Sequence, residues 1–340
     1  MNPKNFKGKH GPLLLAEIGG NHEGDFEYAK KLTKLAIESD VDYIKFQLYS
    51  ADNIVNRVES PDKNKHFKKF ELSKGQYIEL AKMCLDNNAK FLASVWDESM
   101  LEWIDPYMSV YKIGSGDLTA YCLLKKIAGL KKPIILSTGL SKLNEVIDSV
   151  NYIQSLDKFY KNPDNLALLQ CTSMYPITFE DANLNVMQKY FEKTGLTIGY
   201  SDHTIGSKAL EVAFAMGANI LEFHFTDTRK GKEFRDHKVS LTKPEVKRLI
   251  SNIKDIKKLK GSSLKKPLEV EGNHRTTFRR GVYPIRDLKK GTILNESVLV
   301  CLRPNHGIDA REYFNLIGKK LLVDVKAYQK LEKELLEGID

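Results

Sequence analysis

The stretch "LEFHFT", Leu221 to Thr226, follows the apolar run "AFAMGANI" and alternates strictly. Read as a strand, it puts Glu222 and His224 on one face and Leu221, Phe223 and Phe225 on the other. A strand buried on both faces is ordinarily apolar on both. Burying a carboxylate without a partner is costly, so Glu222 must meet water or charge. Two readings follow: a half-exposed antiparallel strand, or a strand that ends at the mouth of a barrel with something bound in it.

The chain on either side decides between them. Seven more short apolar runs precede this one: "LLLAEI" (13–18), "VDYIKFQL" (41–48), "KFLASV" (90–95), "SVYKIG" (109–114), "PIILST" (133–138), "LALLQC" (166–171) and "LTIGYS" (196–201). Amphipathic segments such as "FEYAKKLTKLAIES" and "LNEVIDSVNYIQSL" separate most of them. Eight strand–helix units in the first 260 residues predict a closed (β/α)8 TIM barrel. An open doubly wound sheet would call for a GxGxxG turn after an early strand, and none is present. After Lys260 the composition turns to Gly, Ser and Pro in "GSSLKKPLEVEGNHRT", followed by short strand-like pieces with turn signals. The expected organisation is a catalytic barrel over 1–262, a linker over 263–276 and a small β-rich domain over 277–340.

Bulk properties narrow the function. No apolar run approaches the length of a membrane span, and "MNPKNFKGKHG" lacks the core of a signal peptide. Cysteines at 84, 122, 171 and 301 are widely spaced, which fits a reduced cytoplasmic protein and speaks against a thiolate zinc cluster. The net charge of +9 lies wholly within residues 241–300, where fifteen Lys and Arg face six Asp and Glu. Lysines in "VKRLISNIKDIKKLK" fall at helical spacing, as on the solvated face of an amphipathic helix rather than a nucleic-acid surface.

In a TIM barrel the C-terminal ends of the strands build the active site. Here those ends carry Glu17, Lys45 with Gln47, Ser94, Lys112 with Ser115, Ser137, Ser173, Ser201 with His203, and Glu222 with His224. A single lysine or serine at a strand end usually just enters solvent, but a set on eight successive strands does not read that way. Ammonium groups and small hydroxyls suit a compact phosphorylated acid. His203 and His224, from adjacent strand ends, could meet on one metal ion, although either alone would more often be a satisfied core imidazole. Glu17, Asp236 and Glu222 are the carboxylates available for acid–base work.

Eight motifs in sequence order, "AEIGGNHEGD", "DYIKFQ", "YKIGSGD", "PIILSTGL", "QCTSMYP", "GYSDHTIG", "EFHFTD" and "DHKVSL", resemble those of the sialic acid synthase family. The tail "FRRGVYPIRDLKKGTILNESVLVCLRPNHGI" resembles that family's C-terminal antifreeze-like SAF domain of the β-clip type. The resemblance implies condensation of phosphoenolpyruvate with an N-acylated amino sugar, phosphate leaving by C–O cleavage, in a domain-swapped homodimer. It implies a divalent metal on His203 and His224, manganese foremost with magnesium or cobalt as alternatives. Lys45, Gln47, Ser94, Lys112, Ser115, Ser137, Ser173 and Ser201 match the phosphoenolpyruvate site. Glu17, Tyr175 and Asp236 match residues at the sugar and the reacting centre, and Arg303 matches an arginine offered to the partner subunit's site, where it would hold the sugar's acyl group.

The chain departs from the family pattern in four places. Phe223 stands where lysine is common, Phe234-Arg235 replaces a Gly-Pro before Asp236, the segment "ESPDKNKHFKKFEL" (59–72) differs, and Asn305 and His306 alter the motif after Arg303. All four leave the pyruvate half intact and bear on the acceptor: N-acetylmannosamine or a diacetamido-trideoxyhexose. The rival readings are an aldolase of the same fold that uses free pyruvate, and a non-catalytic carbohydrate-binding protein.

Overall fold

The computed structural model describes residues 4–338, so the outermost ends of the two expected domains (1–3 and 339–340) lie outside the described residues. The chain divides into two compact units, Met1–Gly261 and Ser262–Asp340.

The first unit is a closed barrel of eight parallel strands: β1 Gly11–Glu17, β2 Tyr43–Leu48, β3 Lys90–Val95, β4 Tyr111–Ile113, β5 Ile134–Ser137, β6 Leu166–Cys171, β7 Thr197–Asp202 and β8 Ile220–His224. Neighbours in sequence pair in space, and β8 closes on β1 with Leu13 opposite Ile220 and Glu17 opposite His224. The strand that opened the question is therefore buried on both faces. Phe223 and Phe225 pack into the shared core of strands and helices, while Glu222 and His224 take the other side.

Helix boundaries follow local chemistry. The Asp25 carboxylate accepts from the Tyr28 N–H at the start of helix Phe26–Glu38. Ser73 and Gln76 form a capping box before Lys74–Asp86, and Thr242 with Glu245 does the same before Lys243–Lys260. In that last helix Val246, Leu249, Ile250 and Ile253 face the core, leaving Lys254, Lys257 and Lys258 exposed. The basic stretch is thus a solvated helix face. Among the described residues no helix is long and apolar enough to cross a membrane.

The second unit starts with an exposed stretch in which a short helix, His274–Phe278, begins inside the segment expected to be a linker. Strands β9 Gly281–Pro284 and β10 Leu299–Leu302 then pair antiparallel. Single bridges such as Leu288 with Val325 and Leu321 with Leu336 extend this frame, and Val282, Leu294, Leu316, Leu321 and Leu331 fill its own small core.

Candidate active site

Strand register brings the polar residues together. Glu17 lies opposite Lys45 on β2 and His224 on β8; Gln47 lies opposite Ser94, and Ser94 opposite Lys112. Across the barrel Cys171 lies opposite Ser201, and Ser201 opposite Glu222. Because parallel strands advance in step, a polar residue at the same height on each becomes a ring at one end.

At the centre of that ring are two carboxylates and two ammonium groups, all buried. Lys45 Nζ donates to Glu17 Oε2, and Gln47 Nε2 donates to Glu17 Oε1 at 2.7 Å. Glu222 bridges the lysines, with Oε1 3.4 Å from Lys45 Nζ and Oε2 3.4 Å from Lys112 Nζ. Lys112 also donates to Ser137 Oγ at 2.6 Å and to the Ile113 carbonyl at 3.0 Å. Burial opposes the Glu222 charge, but Lys112 and then Lys45 outweigh it and hold the carboxyl at about 2. Burial pushes Glu17 up despite Lys45, and it pulls Lys112 down despite Glu222. The charges balance in pairs, so an incoming anion would find both lysines already ordered.

A second cluster stands at the ends of β4, β5 and β6. The Gly139 N–H donates to Ser115 Oγ at 3.0 Å. A β-carbon on Gly139 would come within 2.3 Å of Ser173 Oγ and 2.9 Å of Ser115 Oγ. The missing side chain leaves a cradle lined by two hydroxyls, close in sequence to the Lys112–Ser137 bond. Gly139→Ala is expected to fill it, raising the Michaelis constant for a phosphorylated substrate by about tenfold or more with the fold intact. Steady-state kinetics beside a thermal melt would check this, and an unchanged constant would remove the cradle from the site.

The histidines hold the other side. His203 and His224 have ring centroids 5.3 Å apart, and the Tyr175 ring lies 4.0 Å from the first and 5.5 Å from the second. His203 Nδ1 lies 2.7 Å from the Thr172 carbonyl, which only a protonated Nδ1 can satisfy, and Nε2 makes no hydrogen bond to the described residues. Burial would lower His203, but Cys171 beside it and the Thr172 carbonyl raise it to about 9. Burial, then the charge of His203, drives His224 well below the usual imidazole range. His224 Nδ1 is buried with no hydrogen bond to the described residues, 3.7 Å from Asp236 Oδ2, and Asp236 Oδ1 meets only Arg235 Nε among them, at 3.3 Å. Among the described residues no three His, Cys, Asp or Glu side chains close around an ion. In their neutral forms two imidazoles with unused nitrogens beside the Asp236 carboxylate nevertheless fit a divalent cation that keeps positions open for substrate oxygens, and binding there would displace the proton that His203 otherwise holds.

The structure thus brings Glu17, Lys45, Gln47, Lys112, Ser137, Tyr175, His203, His224 and Asp236 into two adjoining networks. Ser115 and Ser173 meet at the cradle, while Ser94 and Ser201 are buried in the strand register between them. Arg303 belongs to the second unit, exposed, with its guanidinium 5.7 Å from the Phe278 ring centroid. Sequence reasoning missed the Gly139 cradle, the bridging role of Glu222 and the placement of Arg235 over Tyr175. Arg235 left a signal as a departure from the family pattern beside Asp236, and Glu222 left one as a carboxylate that had to meet water or charge, without naming the lysines as its partners.

A model of the NeuB family matches residues 32–265. The chain is 34% identical to the N,N'-diacetyllegionaminic acid synthase of Legionella pneumophila, over 96% of this chain and 95% of that protein. It is 36% identical to the synthase of the same name from Campylobacter jejuni, over 90% and 95%, and 32% identical to human N-acetylneuraminate-9-phosphate synthase, over 97% and 94%. Among solved structures, the N-acetylneuraminic acid synthetase of Leptospira borgpetersenii superposes with a TM-score of 0.71 at 29% identity, covering 77% of this chain and 90% of that one. The spore coat polysaccharide biosynthesis protein SpsE of Bacillus subtilis superposes at 0.64 and 26% identity, covering 98% of each chain.

Proposed function

Since the chain belongs to the NeuB family, we propose that it is a nonulosonic acid synthase that joins phosphoenolpyruvate to the aldehyde of an N-acylated amino sugar. The acceptor is N-acetylmannosamine or a diacetamido-trideoxyhexose, as the relatives' names suggest. One observation carries the reading: paired lysines and a hydroxyl cradle face two imidazoles across a single barrel mouth. A free-pyruvate aldolase would have no use for the cradle, and a mere sugar binder none for the buried charge.

Lys45 and Lys112, with Ser94, Ser115, Ser137, Ser173, Ser201 and Gln47, would hold phosphoenolpyruvate and stabilise the phosphate as charge shifts onto it. His203 and His224 would hold the metal, manganese first and magnesium or cobalt as substitutes. When bound there, a divalent cation supplies Lewis-acid polarisation of the aldehyde carbonyl. Tyr175 packs on both imidazoles and fixes their faces. Glu17 and Asp236 both have carboxyls raised by burial, which suits proton exchange nearer neutrality. Glu17 is engaged on both oxygens by short contacts, whereas among the described residues Asp236 holds only the Arg235 ion pair on Oδ1 and lies 3.7 Å from His224 with Oδ2, so Asp236 is the better equipped to exchange a proton with a substrate hydroxyl.

The second unit would be the antifreeze-like SAF domain, presenting Arg303 to the partner's barrel in a domain-swapped homodimer in the cytoplasm. Direct support for the synthase reading would be phosphate release that requires phosphoenolpyruvate, an amino sugar and manganese, and that stops on chelation. Lys112→Ala is expected to lower turnover or raise the Michaelis constant for phosphoenolpyruvate by about tenfold or more. Free pyruvate serving as the donor would overturn the proposal.

A further inference from the structure

Two of the four departures from the family pattern meet in space. The Phe234 ring lies 4.8 Å from Phe70 and 6.3 Å from His66, and His66 lies 4.9 Å from Phe70. Phe70 follows the short helix Pro61–Lys68 in the loop after β2, whereas Phe234 sits in the loop after β8. A β-carbon on Gly20 would stand 2.9 Å from the Phe234 ring, so the loop after β1 is pressed against the same clasp. Three loops are therefore locked by one phenyl group, and the next residue in the chain is an arginine.

Arg235 is held without being used. Its guanidinium carbon is 4.7 Å from the Tyr175 ring centroid, and its Nε is 3.3 Å from Asp236 Oδ1. The side chain remains 66% exposed, and its terminal nitrogens make no hydrogen bond to the described residues. Tyr175 in turn covers His203. The phosphate-holding cradle hangs on the ends of β4, β5 and β6, while Arg235 follows β8 on the opposite arc of the barrel. Asp236 already offsets the positive charge, so what Arg235 offers is a fork of directed N–H donors. That chemistry fits a neutral acyl oxygen better than a further anion.

Resting on the synthase reading above, we propose that Arg235 is a specificity-determining residue that takes an acyl oxygen of the acceptor sugar, positioned for it by the Phe234–Phe70 clasp. The resemblance assigns one acyl group to Arg303. A second guanidinium of independent origin marks an acceptor with a second amide, a diacetamido sugar in preference to N-acetylmannosamine.

The test compares both sugars with wild type, Arg235→Ala, Arg235→Lys and Phe234→Ala, each checked by thermal melt. Wild type should favour the diacetamido-trideoxyhexose. Arg235→Ala should lose at least about tenfold in kcat/KM on it, through the acceptor's KM, with the KM for phosphoenolpyruvate held within about twofold. Arg235→Lys should not rescue the loss, Phe234→Ala should reproduce part of it, and turnover of N-acetylmannosamine should fall clearly less than that of the diacetamido sugar. Equal losses on both sugars, a rise in the phosphoenolpyruvate KM, wild-type preference for N-acetylmannosamine, or full function in Arg235→Lys would each overturn the inference. Absence of phosphate release by wild type with either sugar would instead strike the synthase reading.

Discussion

Mixing the His203→Ala protein with the Arg303→Ala protein, each nearly inactive alone, is expected to restore about a quarter of wild-type activity. The defects lie in different units of the chain, His203 at the end of β7 and Arg303 just after β10. Loss of an imidazole from a two-histidine site should cost at least about 2 kcal/mol of transition-state stabilisation, roughly thirtyfold in rate. Loss of Arg303 removes forked donors that no neighbouring lysine copies. If each site takes its barrel from one subunit and its arginine from the partner, a heterodimer contains one intact site and one doubly defective one. Random reassortment makes about half the dimers heterodimers, and one site in two gives the quarter. Differently tagged subunits, co-purified after mixing, would establish that exchange had occurred. A mixture that exchanges and stays dead would place Arg303 in cis or outside the reaction, and the swapped dimer would be wrong.

Glu222→Gln should be the most destabilising single conservative change in the barrel mouth, by about 3–5 kcal/mol at neutral pH. The substitution keeps the shape of the side chain and removes the one charge that Lys45 and Lys112 share. Glu17 alone would then face two buried ammonium groups, and its contacts reach only Lys45. For a domain of this size each kcal/mol shifts Tm by about 2–4 °C, so the melt should fall by roughly ten degrees. The pH dependence has a definite sign. Glu222 is held at about 2 in the folded protein, below its unfolded value near 4.3, so its contribution is full above that value. It is lost as pH falls toward about 2, and the gap between wild type and variant should close on acidification. Urea titrations at pH 7 and pH 3 would measure this. Equal stability at pH 7, or a gap that ignores pH, would show that the carboxylate is not the bridge described here.

The sequence was sufficient wherever a pattern repeats locally. Eight apolar runs separated by amphipathic segments correspond to eight strands within a residue or two of their expected limits, because each is too apolar to lie anywhere but inside. Polar residues in the C-terminal parts of those runs, or just beyond them, marked where the core stops, so Lys45, Lys112, His203 and Glu222 were legible as mouth residues. Resemblance then supplied what composition cannot: an expected division of those residues between phosphoenolpyruvate and a metal.

What the sequence could not contain is the arrangement between loops. Gly139 is an ordinary turn glycine until Ser115 and Ser173, from two other strand ends, close on the space its side chain would fill. Phe234 is one more aromatic residue until Phe70, more than 160 positions earlier, lies against it and holds Arg235 over Tyr175. Glu222 appears in sequence as an isolated carboxylate, and only barrel closure sets it between two lysines from β2 and β4. Secondary structure is encoded by periodicity along the chain, which is local. Charge pairing, cradles and clasps depend on side chains whose separation in sequence is unrelated to their separation in space, and only the closed barrel fixes that distance.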